Sequence, residues 1–131
     1  MKCSSRFPSL KILFIGYVRN NLPEKSIELF EKIPEKQVDE IIAGIFFNAC
    51  AKCSNASSTQ IGREVLHRLP KSFLRNQKLI NSAIEMFIKS GHVKDAEELF
   101  DKSPQKTIVT YAIMMQGLIH FSLRILFLIL R

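Results

Sequence analysis

The sequence predicts an all-α fold, a right-handed α-α superhelix (solenoid) of stacked helical hairpins. Three observations carry that prediction. The phrase IELFEKIPEK at 27–36 recurs as EELFDKSPQK at 97–106, and a middle copy, GREVLHRLPK, stands at 62–71. A second helix-like segment precedes each phrase. Within the phrases the apolar residues recur at three- and four-residue spacing, as in Ile27, Phe30 and Ile33, then Ile61, Val65, Leu66 and Leu69, then Ala96, Leu99 and Phe100. A hairpin this short cannot bury its apolar face by itself, whereas neighbours stacked in register cover one another. A closed bundle has no reason to repeat a phrase at one period.

The elements follow in order. First helices are expected in LKILFIGYVRN (10–20), IIAGIFFNACAKC (41–53), LINSAIEMFIKSG (79–91) and, opening a fourth unit, IVTYAIMMQGLI (108–119). The second helices align as Glu28, Phe30, Lys32 and Pro34, then Glu64, Leu66, Arg68 and Pro70, then Glu98, Phe100, Lys102 and Pro104. Pro23 can open a helix, because its missing N–H has no partner there. Gly91 can close one in the left-handed conformation. SNASST at 54–59 reads as an expanded loop inside the middle unit, with Ser58 or Thr59 as the helix cap. Pro34, Pro70 and Pro104 end or follow the second helices, since each lacks a donor and restricts the residue before it.

The bulk numbers suit one small domain: 131 residues, 47% hydrophobic, with a net charge of +7 spread along the chain. A basic balance permits contact with nucleic acid or an anionic surface without requiring either. Cys3, Cys50 and Cys53 are an odd set. Cys50-Ala-Lys-Cys53 has metal-site spacing, but a structural zinc needs a second close pair, and His67, His92, His120 and Cys3 supply none. A redox pair needs its first cysteine at a helix N-terminus, and FFNACAKC reads as a helix end. Core cysteines in a reducing compartment are the expectation. Asp39 and Glu40 are adjacent rather than opposed, the histidines are dispersed, and Gly62, Gly91 and Gly117 belong to no phosphate loop. The chain is therefore expected not to be an enzyme and to use no cofactor and no metal.

The period near 35, the LFxxxP phrase and the stretches VTYAIMMQGLI and LINSAIEMFIKSGHVKDAEELF resemble pentatricopeptide repeats. Tetratricopeptide repeats share the architecture, but their Trp-Leu-Gly signature is absent. The likeness places units at 7–39, 40–76 and 77–107, with a partial fourth at 108–131 that carries a hydrophobic tail. The uneven lengths resemble the long-and-short variety of the family. NACAK at 48–52 is similar to the long type, and the phrase ending in Pro to the short type. The resemblance implies single-stranded RNA as partner, one base per repeat, and a part in transcript processing. By likeness the base-facing residues near each first-helix start are Lys11, Gly44, Asn81 and Ala112, with companions Asp39, Asn76 and Thr107 at the unit ends.

Asn81 with Thr107 resembles a pyrimidine-choosing pair, cytosine foremost. The alternative for Asn81 is a bridge between neighbouring helices. Lys11 with Asp39 is not a usual family pair, Gly44 has no side chain to read with, and Ala112 offers only stacking support. Phosphate contacts fall to Arg19, Lys52, Lys71, Arg75, Lys78 and Lys89, for which solvation of helix ends is the bland alternative. The metal-binding His and Cys signature of the deaminase-like extension that some relatives carry does not occur in this sequence. A helical scaffold for a protein partner, or a repeat fragment without independent activity, is the alternative to RNA binding.

Two segments stand outside this scheme. MKCSSRFPSLK at 1–11 is basic and hydroxylated, weakly like an organelle-targeting sequence, so mitochondrion or cytoplasm is the expected location. After Gly117 the fourth unit should turn, yet it continues as LIHFSLRILFLILR. Three readings stay open for that tail: a truncated remnant, a final helix buried against its neighbours, or a membrane-contacting segment. Arg124 makes spanning costlier than surface contact.

Overall fold

The computed structural model describes residues 6–53 and 55–130, with side chains from Ile12 onward. Among them are seven α-helices and no strand: α1 (Arg6–Arg19), α2 (Pro23–Lys32), α3 (Glu40–Cys53), α4 (Ala56–Arg68), α5 (Gln77–Lys89), α6 (Val93–Lys102) and α7 (Ile108–Leu130). Short 3-10 turns at Glu35–Gln37 and Lys71–Arg75 follow α2 and α4. Cys3 and the rest of residues 1–5 of the MKCSSRFPSLK segment lie outside the described residues, as does the side chain of Lys11.

The helices pair as hairpins α1/α2, α3/α4 and α5/α6, and their turns are of two kinds. The first and third close alike. The Leu22 N–H donates to the Tyr17 carbonyl at 2.8 Å, and the His92 N–H to the Phe87 carbonyl at 2.7 Å. This wrap needs a left-handed residue, supplied by Asn21 (φ 58°) and Gly91 (φ 86°). Pro23 stands in the first turn of α2, as expected.

The middle hairpin departs from expectation. SNASST is not an expanded loop: α4 begins at Ala56, directly after Asn55. Asn55, rather than Ser58 or Thr59, is the cap. Its side chain accepts from the Ser58 N–H at 2.8 Å, and the Ser58 hydroxyl accepts in return from the Asn55 N–H at 3.4 Å. Ser58 and Thr59 lie inside the helix and are buried. Their hydroxyls donate to the Asn55 carbonyl at 3.1 and 2.9 Å, so neither carries an unmet polar group into the core.

The first helices stack edge to edge as one layer, α1 on α3, α3 on α5, α5 on α7, with the α3–α5 contact the most extensive. Each second helix also packs on the first helix of the following hairpin: α2 on α3, α4 on α5, α6 on α7. Alanines at 43, 49 and 51 on α3 and Ala83 on α5 are buried, and side chains this small let helix axes approach closely. The first interface is aromatic. Phe30 stacks on Phe46 at 4.1 Å between centroids, flanked by Phe14 at 6.0 Å from Phe30 and Phe47 at 5.4 Å from Phe46, and none of the four is more than 6% exposed. The next interface adds a polar clasp. Arg63 of α4 pairs with Asp95 of α6 at 2.6 Å and lies over the Phe87 ring.

The fourth unit does not turn. α7 runs without a break to Leu130, and only Thr110, Met114 and Gly117 of it are buried. Every residue from Leu118 to Leu130 is exposed, which overturns the reading of this tail as a helix buried against its neighbours. Gly117 marks the last close approach: a Cβ there would meet three Ile88 side-chain atoms at 2.6 to 2.9 Å. Ile88 is β-branched and stiff on its helix, so it cannot yield easily.

Three stability outcomes follow, each readable by urea unfolding. Phe46→Ala should cost about 3–5 kcal/mol through the cavity left between the first two hairpins. Gly117→Ala should cost about 1–3 kcal/mol by overpacking α7 on α5. Asn55→Ala should cost about 1 kcal/mol through the lost cap.

Candidate nucleic-acid interface

The residue ending each unit caps the next first helix. The Asp39 carboxylate accepts from the Ile42 N–H at 2.8 Å at the start of α3. The Asn76 side-chain oxygen Oδ1 accepts from the Lys78 and Leu79 N–H groups at 3.0 and 3.3 Å at the start of α5. The Thr107 hydroxyl accepts from the Thr110 N–H at 3.3 Å at the start of α7. Orphan N–H groups at a helix start explain why Asp, Asn and Thr stand there. The three caps thus lie along one edge of the first-helix layer.

About one turn further into each helix stand Gly44, Asn81 and Ala112. A Cβ added at Gly44 would meet no atom within 4 Å, so the space beside it is open. Ala112 is exposed. Asn81 differs from both, being only 8% exposed, and its side chain belongs to a network joining hairpin α5/α6 to α7. Asn81 Oδ1 accepts from the Thr110 hydroxyl at 2.7 Å and from Gln77 Nε2 at 3.0 Å. Gln77 Nε2 also donates to Thr110 Oγ1 at 3.1 Å, and Thr110 Oγ1 lies 3.2 Å from Thr107 Oγ1. Asn81 and Thr107 are therefore brought together, with Thr110 between them. One unit earlier Asn76 Nδ2 donates to Glu40 Oε1, a simpler stitch on the same edge.

The cationic residues form two rows. Lys71 and Arg75 lie in the 3-10 turn before α5 and Lys78 in its first turn, all exposed and all at the cap edge. Arg19, Lys52 and Lys89 end α1, α3 and α5. Lys89 lies eight residues beyond Asn81, about 12 Å along the helix axis. Lys89 also pairs with Glu85 at 3.3 Å. This second row continues onto α7, where His120 occupies the register of Lys89 and Lys52, and a cleft between α5 and α7 is lined by Glu85, Lys89, Gln116, His120 and Arg124.

Comparison with known proteins agrees with the helical-hairpin fold. The family profile described as PPR repeat matches residues 9–38 and 80–107. A chloroplastic pentatricopeptide repeat-containing protein of Arabidopsis thaliana is 33% identical over 107 residues, covering 80% of this chain and 13% of its own. A mitochondrial one from the same plant is 28% identical over 111 residues, covering 82% of this chain and 16% of its own. A third Arabidopsis pentatricopeptide repeat-containing protein is 29% identical over 114 residues, covering 82% and 24%. This chain belongs to the pentatricopeptide-repeat family. It spans between about an eighth and a quarter of the length of these curated relatives.

Three residues of this pentatricopeptide-repeat chain escaped the reading of its sequence. Thr110 sits three residues past its cap, where α3 and α5 carry the buried Ile42 and Leu79. A polar residue in a register otherwise apolar was the available signal. Gln77 stands in the register of Glu40, and in both units that side chain reaches across the edge. Arg124 was read only as an interruption of the tail, yet it lines the basic cleft.

Cys50 and Cys53 lie on the last turn of α3, as expected of a helix end. Burial first, then the neighbouring Cys53, pushes the Cys50 thiol up to about 12. Burial, then Glu24, also raises Cys53. Among the described residues no group of three or more metal-binding side chains gathers. A raised thiol is protonated in the folded chain, so reactivity at Cys50 should stay low until pH climbs from about 9 towards 12. Iodoacetamide labelling at pH 8, read by peptide mass spectrometry, should leave Cys50 unmodified in the folded chain and modify it in urea.

Proposed function

We propose that this chain binds single-stranded RNA along its first-helix layer. In this reading Asn81 and Thr107 address one pyrimidine, cytosine foremost, and the chain acts by binding rather than by catalysis. The observation that carries it is the network that holds these two side chains at one edge through Thr110. Lys71, Arg75 and Lys78 flank that edge, and Arg19, Lys52 and Lys89 give a second cationic row for phosphates. The recognition units are those at 7–39, 40–76 and 77–107, with the partial unit 108–131 closing the base site of the third. Lys11 with Asp39, Gly44 with Asn76, and Ala112 address their bases weakly or by stacking alone. Relatives named for chloroplast and mitochondrion support an organellar role in transcript processing.

The magnitude is modest. At about 1–3 kcal/mol per stacked base, three units bind weakly to moderately, and one strong reader confers a preference at one position. Binding of short RNAs, followed by fluorescence anisotropy, should weaken steadily with added salt as phosphates exchange lysines for counterions. Asn81→Ala should abolish the preference for cytosine-containing RNA while leaving the salt dependence in place. Equal binding of all sequences by the unmodified chain would remove Asn81 from the reading, and no binding at low salt would remove RNA altogether.

A second reading, a helical scaffold for a protein partner or a membrane surface, is favoured by one feature. The described residues include one helix long and apolar enough to cross a membrane, α7, and its apolar residues from Leu118 to Leu130 are exposed. Salt-insensitive capture of a protein, with no RNA retained, would support that reading over the first.

A further inference from the structure

We infer that Gln77 and Thr110 are positioning residues that lock the Asn81 amide with its oxygen inward, so that this amide offers the base hydrogen-bond donors only. The inference rests on the RNA-binding reading above and deepens it.

The argument begins at a group that cannot turn. The backbone N–H of Gln105 donates to Gln77 Oε1 at 3.3 Å. A backbone donor has no alternative role, so it decides which end of the Gln77 amide is oxygen. The Gln77 NH2 then points the other way and donates to Asn81 Oδ1 at 3.0 Å and Thr110 Oγ1 at 3.1 Å. Asn81 must present oxygen to this donor, because a reversed amide would set NH2 against NH2. The Thr110 hydroxyl proton completes the lock by donating to the same oxygen at 2.7 Å.

Counting lone pairs gives the consequence. A carbonyl oxygen has two acceptor positions, and both on Asn81 Oδ1 are filled from within the protein. Asn81 Nδ2 has no partner among the described residues. No buried side-chain nitrogen or oxygen among them lacks one, so Nδ2 faces outward within the 8% of Asn81 that is exposed. Thr110 Oγ1 likewise fills its two acceptor positions, with Gln77 Nε2 and the Thr107 N–H, both at 3.1 Å. The exposed Thr107 hydroxyl, 3.2 Å away, finds them taken and is left able to donate outward. The outward face is thus an amide NH2 beside a hydroxyl.

Among the bases, cytosine sets two adjacent acceptors, O2 and N3, on its pairing edge. Uracil replaces the second with an N–H donor, adenine sets one acceptor beside a donor there, and guanine sets one acceptor beside two donors. An amide fixed as a donor beside a hydroxyl that can donate therefore favours cytosine, and it does so only while the Asn81 oxygen is held inward. If the amide could turn, it would accept from the uracil N3–H as readily as it donates to cytosine, and the preference would collapse.

The test uses the full chain, 15N-labelled, with short oligonucleotides of C, U or A. Three proteins are compared: unmodified, Thr110→Val (same shape, no hydroxyl) and Thr110→Ser (hydroxyl kept). The unmodified chain and Thr110→Ser should bind C over U by roughly 10-fold, in line with one well-placed base contact. The C oligonucleotide should also move the Asn81 side-chain NH2 resonances. Thr110→Val should still bind, with the same salt dependence, but prefer C over U by about twofold or less. Without RNA, the Asn81 NH2 pair should shift in Thr110→Val and stay put in Thr110→Ser. An unchanged C preference in Thr110→Val, or an unmoved NH2 pair in its RNA-free spectrum, overturns the inference. If the unmodified chain binds none of the RNAs, the binding reading fails by itself, and the RNA-free spectra still decide the lock. Should Thr110→Val not fold, Gln77→Leu, altered at a half-buried helix start, makes the same comparison.

Discussion

Each hairpin is too short to bury its own apolar faces, so neighbouring first helices must share one seam. The α3–α5 contact meets that requirement most fully, and the rest of the structure is arranged around it. Alanines at 43, 49, 51 and 83 keep the seam narrow, while Phe46, Phe47, Ile84 and Phe87 fill the volume beside it. α1 and α7 extend the same layer in either direction, and the second helices each reach forward onto the next hairpin. Order is thereby passed from one hairpin to the next instead of being gathered in a single centre.

That arrangement couples folding to the candidate site. Asp39, Asn76 and Thr107 hold helix starts and lie at the edge where the proposed reading places the bases, so in that reading the same side chains serve stability and recognition. At the third edge the coupling is tightest, because Asn81, Gln77 and Thr110 hydrogen-bond across the hairpin boundary. With both acceptor positions of Asn81 Oδ1 filled, the network favours one geometry, since turning that amide would set its NH2 against the Gln77 NH2. The second edge, where Gly44 offers no side chain and Asn76 meets Glu40, has the stitch without the reader.

The exposed half of α7 stands apart from both. The other first helices end after 13 or 14 residues, each followed within a few residues by the second helix of its hairpin, whereas α7 continues for 23. Past Gly117 nothing described packs against it, so Leu126, Phe127 and Ile129 meet solvent although their composition suits burial. His120 and Arg124 are the exceptions on this segment, because both line the cleft beside Lys89.

The sequence by itself determined the helices, their hairpin pairing and the stacked architecture, because these rest on local spacing, on turn residues such as Pro23 and Gly91, and on a repeated phrase. It also put Asn81 and Thr107 in matching registers of the repeat. It misjudged the middle turn, since SNASST reads equally as a loop or as a capped helix start, and only the neighbouring α3 end decided for Asn55. The hydrogen bonds from Thr110 to Asn81 and from Gln77 to Thr110 were decided by tertiary structure alone. They join side chains 29 to 33 residues apart, and no local rule of spacing reports which way a buried amide points. That choice is made by the partners a folded neighbour brings within reach.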